Sequence, residues 1–217
     1  MLPTFWWTTF DVSGMLPAQW KTDVQKTAIE ADFRDFPRTP VISREAIDVD
    51  RIPRGRVHAD KVQSSLPWLS QMYRSVFLDL AQRVAGGHSV GAAQDDRYGV
   101  VLNVQHGSEM RFECHVDSNG LTALLFFTDH GPGAGGELVI ANDSQASSME
   151  AIDRSCSVLR PQAGHMILFD GRRNPHYVRP LTSDADIRIV AVMNYYTDLG
   201  PESARPLELN RHLYGDS

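Results

Sequence analysis

The chain has few cysteines, no excess of basic residues and no long run of apolar residues. Its two cysteines, Cys114 and Cys156, cannot build a disulfide framework or a zinc-binding set, and they suit a reducing compartment. The formal net charge of −6 argues against a nucleic-acid surface, which requires a concentrated basic face. The apolar start lacks basic residues and reaches Asp11 too early for a signal peptide or a membrane span. We therefore expect a cytoplasmic protein without a nucleic-acid or membrane partner.

What the chain does contain is typical of one globular domain. Its 217 residues are 42% hydrophobic and 22% charged, which is ordinary for a protein with a sizeable core. Apolar positions at helical spacing predict a helix over Ala59–Val84 that restarts at Pro67, whereas Ser43–Arg56 has the mixed charges and turn residues of a loop. From Gly99 to Tyr196 the apolar pattern alternates with a period of two, which predicts strands. We expect one domain over 1–217. Residues 1–95 would supply helical and loop support and a candidate lid, residues 96–198 the β core, and residues 199–217 a C-terminal extension. The sequence does not indicate an oligomeric state.

Two candidate metal ligands lie in the segment Met110–Asp117, whose alternating pattern is typical of a strand. Because side chains on a strand alternate between its faces, His115 and Asp117 should share one face with Arg111 and Glu113. Burying such a polar row is costly unless it holds a metal or a charged ligand. The pattern therefore indicates a binding site on this face.

A second histidine and an arginine follow further along the chain. His176 begins another predicted strand after a turn. Two histidines and one carboxylate make up the facial triad of non-haem Fe(II) sites, which leaves coordination positions open. Arg188 shares an otherwise apolar strand face with Val190 and Val192, and a guanidinium in that setting would hold a planar carboxylate in a bidentate fork.

These motifs occur in an order and spacing that resembles a known enzyme family. Between Tyr98 and Tyr196 the chain is similar to the Fe(II)- and 2-oxoglutarate-dependent oxygenases, and most closely to their prolyl-4-hydroxylase-like branch. Four pieces carry the resemblance, namely His115-Val-Asp117, the hairpin Gly135-Gly136-Glu137-Leu138, Pro161 with Gly164 leading into Leu168-Phe169, and His176-Tyr-Val-Arg-Pro180 followed by Arg188.

The resemblance implies a mainly β fold with flanking helices, in which an α-helical N-terminal part precedes a double-stranded β-helix, or jelly roll. It implies that His115, Asp117 and His176 bind the catalytic Fe(II). It also implies that Arg188 binds the distal carboxylate of 2-oxoglutarate, with Asn103 as a further contact to this cosubstrate. O2 is the other cosubstrate, and ascorbate is expected to support turnover. Such an enzyme is a dioxygenase that hydroxylates an aliphatic C–H bond and releases succinate and carbon dioxide.

The substrate remains open at this point. If Arg111 and Glu113 face the metal, they would match the carboxylate and ammonium groups of a zwitterion, which favours a free amino acid or a related small metabolite. The alternative is that the two side chains pair with each other or with neighbours. The compact chain also favours a small molecule over the second candidate, a peptidyl or protein hydroxylase. A cupin-like binding protein without redox chemistry is the third candidate, and Arg188 argues against it because such a protein needs no 2-oxoglutarate anchor.

Overall fold

The computed structural model of the chain describes residues 7–37, 43–44, 51–206 and 208–209. The helices are α1 Trp20–Ala28, α2 Ala59–Ser65, α3 Pro67–Tyr73, α4 Val76–Val84 and α5 Met149–Asp153. The strands are β1 Trp7–Asp11, β2 Asp32–Pro37, β3 Arg51–Val57, β4 Val90–Ala92, β5 Val100–His106, β6 Phe112–His115, β7 Leu121–Phe126, β8 Leu138–Ala141, β9 Cys156–Leu159, β10 His165–Phe169, β11 His176–Val178 and β12 Ile187–Thr197.

Two antiparallel sheets form the β core of the described chain. The larger has the strand order β1-β10-β7-β12-β5-β3-β2, with β4 also paired to β12, and the smaller has the order β6-β11-β8-β9. An apolar layer lies between them, in which Phe112 and Val178 of the smaller sheet pack with Phe126, Phe169 and Val190 of the larger. Strands from distant parts of the chain thus meet across one core. This architecture confirms the predicted, mainly β fold class.

The helices of the first half pack on the larger sheet. Leu66, Leu69 and Phe77 are buried in one cluster with Leu102 and Leu125 of the sheet. The predicted helical stripe over Ala59–Val84 is divided into α2, α3 and α4. Its first break coincides with Pro67, whose missing N–H and fixed φ suit the first turn of a new helix, so the expected restart is confirmed.

The prediction of a loop over Ser43–Arg56 is wrong for its last part, where β3 lies. This strand pairs with β2 along six positions and with β5 from Gly55 to Val57. A Cβ atom at Gly55 would lie 2.3 Å from the Phe33 ring, so only glycine allows this packing. Arg54 and Arg56, whose charges favoured the prediction of a loop, are buried. Residues 45–50 of the predicted loop lie outside the described part.

Other described features bear on the setting of the protein. None of the described helices has the length and the apolar content that crossing a bilayer requires. Cys114 is buried and Cys156 half-buried, and neither forms a disulfide within the described part of the chain. After the core, Glu202 accepts hydrogen bonds from the backbone N–H groups of Gln94 at 2.7 Å and Asp95 at 3.1 Å, which fixes the start of the C-terminal extension.

Candidate metal centre

Three potential metal ligands converge at the edge of the smaller sheet. His115 ends β6 and lies opposite His176, the first residue of the neighbouring β11. The Nε2 atom of His115 is 3.4 Å from Oδ1 of Asp117, and the Nε2 atom of His176 is 3.8 Å from Oδ2 of the same carboxylate. One ligand atom from each residue lies within 4.8 Å of the other two. Two imidazoles and a carboxylate in this arrangement fit the donor set of a facial triad.

Backbone carbonyl groups orient both imidazole rings. Nδ1 of His115 lies 2.6 Å from the carbonyl oxygen of Glu113, and Nδ1 of His176 lies 3.0 Å from that of Asn174. Because a carbonyl oxygen only accepts hydrogen bonds, each Nδ1 carries the proton and donates it. Each Nε2 therefore keeps its lone pair for a metal, which is the usual arrangement of metal-binding histidines.

The carboxylate of Asp117 is held by its neighbours. The Thr122 hydroxyl donates to Oδ2 of Asp117, and it accepts a hydrogen bond of 2.9 Å from the Asn119 amide. The backbone N–H of Asp117 donates to the carbonyl of Gly171 at 2.9 Å. A Cβ atom at position 171 would lie 2.0 Å from Oδ2 of Asp117, so the carboxylate occupies space that any side chain there would take.

The charges of the three residues are coupled in the metal-free protein. Burial favours the neutral form of Asp117, but His176 and His115 outweigh it and hold the pKa of this carboxyl well below its usual range. Burial and the neighbouring His115 lower the pKa of His176 to about 4. For His115, burial is outweighed by the hydrogen bond and the charge of Asp117, so its pKa is raised. At neutral pH the triad thus offers an ionised carboxylate and a neutral His176.

Arg188 fits the carboxylate anchor that the sequence predicts. It lies on β12, with 1% of its surface exposed, and its Nε donates to the carbonyl of Gly136 at 2.9 Å. Its buried Nη2 has no hydrogen-bond partner among the described residues, and the same holds for Oδ1 of Asn103. Burial lowers the pKa of Arg188 to about 9, which leaves the group charged at neutral pH. A buried, charged donor without a partner is costly, and a bound carboxylate would remove that cost.

The triad, Arg188 and Asn103 line one cavity of about 110 Å³ between the sheets. Apolar side chains cover much of its wall, including Leu124, Leu138, Val178 and Val190. Tyr98 and Tyr196 also line it, together with Leu209 of the C-terminal extension, and these three pack with one another. The residues predicted for metal and cosubstrate are therefore in one enclosure.

The predicted direction of Arg111 and Glu113 is wrong, because neither residue lines the cavity. His115 pairs with His176 and Phe112 with Val178, so two residues of β6 lie opposite one of β11. This bulge changes the alternation of side chains, and Phe112 shares the cavity wall with His115 instead.

Glu113 and Arg111 contact other residues of the protein. The buried carboxylate of Glu113 lies 3.7 Å from Arg54 and accepts a hydrogen bond of 3.0 Å from the Ser43 hydroxyl. Arg111 contacts the sulfur of Met149 at 4.0 Å. The alternative reading, in which these side chains interact with neighbours, is the observed one for Glu113.

Sequence reasoning missed several polar residues of the cavity. Arg54, Arg56 and Arg97 line it, and Thr122 and Asn119 hold the carboxylate of the triad. The spacing of Arg54 and Arg56 was an available signal, since two residues apart on a strand places them on one face. Nothing in the sequence pattern linked the residues after Asp117 to its orientation.

The comparison with known families decides the chemistry. Residues 97–196 match the family model of the 2OG-Fe(II) oxygenase superfamily. The chain carries a 2OG-Fe(II) oxygenase domain. For this domain the match confirms the family predicted from the motifs, and with it an oxygenase domain that takes Fe(II) as cofactor and 2-oxoglutarate as cosubstrate. No curated protein matches this oxygenase in sequence.

Solved structures share the fold of this oxygenase at low sequence identity. A 2OG-Fe(II) oxygenase family oxidoreductase from Burkholderia pseudomallei has a TM-score of 0.61 and 13% identity, covering 92% of this chain and 89% of its own. A Trichoplax adhaerens prolyl hydroxylase, in complex with a hypoxia inducible factor peptide fragment, has a TM-score of 0.61 and 15% identity, covering 94% and 90%. HygX from Streptomyces hygroscopicus, with nickel, 2-oxoglutarate and hygromycin B bound, has a TM-score of 0.59 and 11% identity, covering 92% and 84%.

Proposed function

We propose that this oxygenase hydroxylates an aliphatic C–H bond of a small molecule, a free amino acid or a related metabolite. The observation that supports an oxygenase reaction is that a three-residue metal site and a buried guanidinium, that of Arg188, line one cavity. One nitrogen of this guanidinium has no hydrogen-bond partner among the described residues. His115, Asp117 and His176 would hold Fe(II), and Arg188 would bind the distal carboxylate of 2-oxoglutarate, with Asn103 beside it. Bound Fe(II), with 2-oxoglutarate and O2, supplies the oxidation that yields succinate, carbon dioxide and one hydroxyl group on the substrate.

The residues of the chain contribute orientation and exclusion of water. Backbone carbonyl groups fix both imidazoles, and Thr122 fixes the carboxylate of Asp117. Apolar side chains between the sheets form part of the cavity wall, and a low local dielectric would strengthen the charge pairing of Arg188 with a carboxylate. One substrate C–H bond can then be held beside the metal site.

The enclosure of the cavity supports a small substrate. Tyr98, Tyr196 and Leu209 are buried and pack with one another along its wall. A free amino acid or a molecule of similar size needs less space than a peptide segment. The small cavity volume of about 110 Å³ points the same way.

We also propose a lid and a single domain over 1–217. Within the N-terminal part that was predicted to contain the lid, Ser43 and Arg44 run beside the first metal ligand. Ser43 forms a β-bridge with His115, and the backbone N–H of Arg44 donates to the carbonyl of Cys114 at 2.7 Å. A segment held this close to the triad would cover one side of a bound substrate.

A cytoplasmic location remains a prediction from the sequence.

The metal site is tested by alanine substitution of each ligand. His115→Ala, Asp117→Ala and His176→Ala should each lose tight Ni(II) or Fe(II) binding in calorimetry, because two protein ligands hold a labile ion poorly. His106→Ala is the matched control, since His106 is exposed and outside the cavity. Wild-type metal affinity in any one ligand variant would remove that residue from the site.

The substrate class is tested by screening free amino acids against short peptides. The enzyme is incubated with Fe(II), 2-oxoglutarate and ascorbate, and mass spectrometry follows the gain of one oxygen atom together with succinate. We expect coupled oxidation in the free amino acids. Oxidation of peptides alone would replace the proposal with a peptidyl hydroxylase.

A further inference from the structure

Asn194 supplies a hydrogen-bond acceptor to the cavity that neither the metal site nor the cosubstrate anchor uses. It lies on β12, where Arg188, Val190, Val192 and Asn194 line the cavity at alternating positions. Its Nδ2 donates a hydrogen bond of 2.8 Å to the carbonyl oxygen of Tyr98, which fixes the orientation of the amide. Its Oδ1 has no hydrogen-bond partner among the described residues. Because an amide oxygen can only accept, a ligand bound at this place must bring a donor.

A second polar group lies on the same side of the metal site. Asn194 pairs across the sheet with Thr122 of β7, whose hydroxyl donates to Oδ2 of Asp117. Paired residues of neighbouring antiparallel strands have Cα atoms roughly 5 Å apart. Ser118 follows Asp117 in the chain and also lines the cavity, and its hydroxyl forms no hydrogen bond within the part of the chain that the structure describes. The amide oxygen and the hydroxyl are therefore both close to Asp117.

This part of the cavity wall is separate from the cosubstrate anchor. Asn194 is 194 − 188 = 6 positions beyond Arg188 on the same strand. At about 3.4 Å per residue, the two backbone positions are about 20 Å apart. The two carboxylates of 2-oxoglutarate are only a few bonds apart, so a molecule held by Arg188 cannot also reach Asn194. The acceptor is left for the substrate.

The positive charge next to Asn194 is balanced. Arg97 adjoins Tyr98 in the chain, and its Nη2 and Nε donate to the carboxylate of Asp95 at 2.7 Å and 3.1 Å. A cationic group beside Asn194 would therefore not face an uncompensated Arg97. An ammonium carries three N–H donors and no acceptor, so it can donate to the amide oxygen and to the Ser118 hydroxyl together.

We infer that the substrate of this protein carries an amino group that donates to Oδ1 of Asn194, with the Ser118 hydroxyl as a second acceptor. The inference rests on the proposed function, because it names the group by which a small molecule is oriented for hydroxylation. It gives the amino group a partner other than Glu113, which does not line the cavity. Asn194 is thus a specificity-determining residue that holds the amino end on the Asp117 side while Arg188 holds the cosubstrate.

The inference is tested by the binding of matched compounds with and without the amino group. Wild-type protein is loaded with Ni(II) and saturating 2-oxoglutarate. Calorimetry then measures the affinity for free L-amino acids, for the matching α-hydroxy acids and for the matching acids with neither group, such as leucine, leucic acid and isocaproic acid. We expect the amino acids to bind about ten- to a hundredfold more tightly than the acids with neither group, as a hydrogen bond to a charged group provides. Binding of the hydroxy acids as tightly as the amino acids would overturn the assignment to an amino group.

Substitution of Asn194 then locates the acceptor. Asn194→Leu removes the acceptor at similar volume and should abolish the preference for amino compounds. Asn194→Asp keeps an acceptor, adds a negative charge and should preserve or strengthen that preference. Both changes remove the hydrogen bond to the Tyr98 carbonyl, so a role limited to that bond would affect both variants alike. Neither change should alter the affinity for 2-oxoglutarate.

Two further variants complete the series. Ser118→Ala should reduce the preference about two- to tenfold, as one neutral hydrogen bond provides. An unchanged preference in this variant would overturn the role of Ser118 as second acceptor. Asn142→Leu is the matched control for Asn194→Leu, because Asn142 is exposed and outside the cavity, and it should bind every compound as the wild type does.

Three results would overturn the role of Asn194. These are equal binding of compounds with and without the amino group by the wild type, an unchanged preference in Asn194→Leu, and an equal loss of preference in Asn194→Leu and Asn194→Asp. Hydroxylation is measured separately on the same compounds. Oxidation of the acids without an amino group alone would also overturn the inference while leaving the proposed hydroxylase intact. Binding of amino compounds that depends on Asn194, without oxidation of any compound, would support the inference and count against the proposed hydroxylase.

Discussion

At the scale of single residues, Arg188 shows how an unmet hydrogen-bonding need indicates a ligand. Its guanidinium is buried and charged, yet one nitrogen lacks a partner among the described residues. Arg188→Ala should therefore weaken 2-oxoglutarate binding about ten- to a hundredfold while metal binding stays the same. Arg188→Lys should recover only part, because an ammonium cannot form the bidentate fork. Calorimetric titration of the Ni(II)-loaded protein measures both effects. Unchanged cosubstrate affinity would show that another arginine of the cavity binds the distal carboxylate.

Thr122 is a positioning residue that the motif alone does not reveal. Its hydroxyl connects the Asn119 amide to the carboxylate of Asp117. Thr122→Val removes this donor at nearly constant volume, and we expect metal affinity to fall about tenfold or more, as is usual for groups that hold a ligand in place. Thr122→Ser keeps the hydroxyl and should bind metal nearly as the wild type does. Equal losses in the two variants would show that the methyl group, not the hydrogen bond, matters.

At the scale of elements, the turn between β10 and β11 brings the backbone against the metal site. Because a Cβ atom at position 171 would lie 2.0 Å from Oδ2 of Asp117, Gly171→Ala should displace the carboxylate and weaken metal binding strongly. Gly131→Ala is the matched control, since no atom lies within 4 Å of a Cβ there. Calorimetry and thermal unfolding should show lost metal affinity with a nearly unchanged Tm of the metal-free protein. A Gly171→Ala variant that binds metal normally would show that the backbone of the turn can shift to make room for a methyl group.

The elements also show where sequence patterns suffice and where they fail. The alternation of apolar residues predicted the β core, and the proline at 67 predicted a helix restart, because both signals are local. The bulge in β6 is not local, since it depends on how β11 pairs with that strand. It reversed the expected direction of Glu113 and placed Phe112 in the cavity. Side-chain alternation in β6, considered without the pairing to β11, therefore gave the wrong direction for Arg111 and Glu113, the predicted substrate residues.

At the scale of the whole molecule, the site is assembled by strand order. The first and third triad residues, His115 and His176, are 176 − 115 = 61 positions apart in the sequence but are paired in the smaller sheet. The motif and its spacing predicted that His115, Asp117 and His176 come together, as they do in the structure, and Arg188 lines the same cavity. Arg54 and Arg56 reach the cavity only because β3 adds to the larger sheet beside β5. Their charged pattern resembled a loop, and only the sheet pairing shows which wall they form.

The same assembly predicts that metal binding stabilises the whole fold, and more so at higher pH. An ion that binds only the folded protein adds about 2.7 kcal/mol at a hundred times its Kd. Because the pKa of His115 is raised, its proton stabilises the metal-free fold below the unfolded pKa, and that contribution is lost as pH rises through the folded pKa.

The metal competes with this one proton, since the pKa of Asp117 is far lower and that of His176 is about 4. The increase of Tm on adding Ni(II) should therefore be larger at about pH 8 than at about pH 6, on either side of the ordinary histidine pKa. Thermal unfolding with and without Ni(II) across this range measures it, and a chelator should return the Tm to the metal-free value. His115→Ala should lose most of the increase at both pH values. An increase in the wild type that stays constant or grows toward low pH would show that His115 does not exchange its proton for the metal.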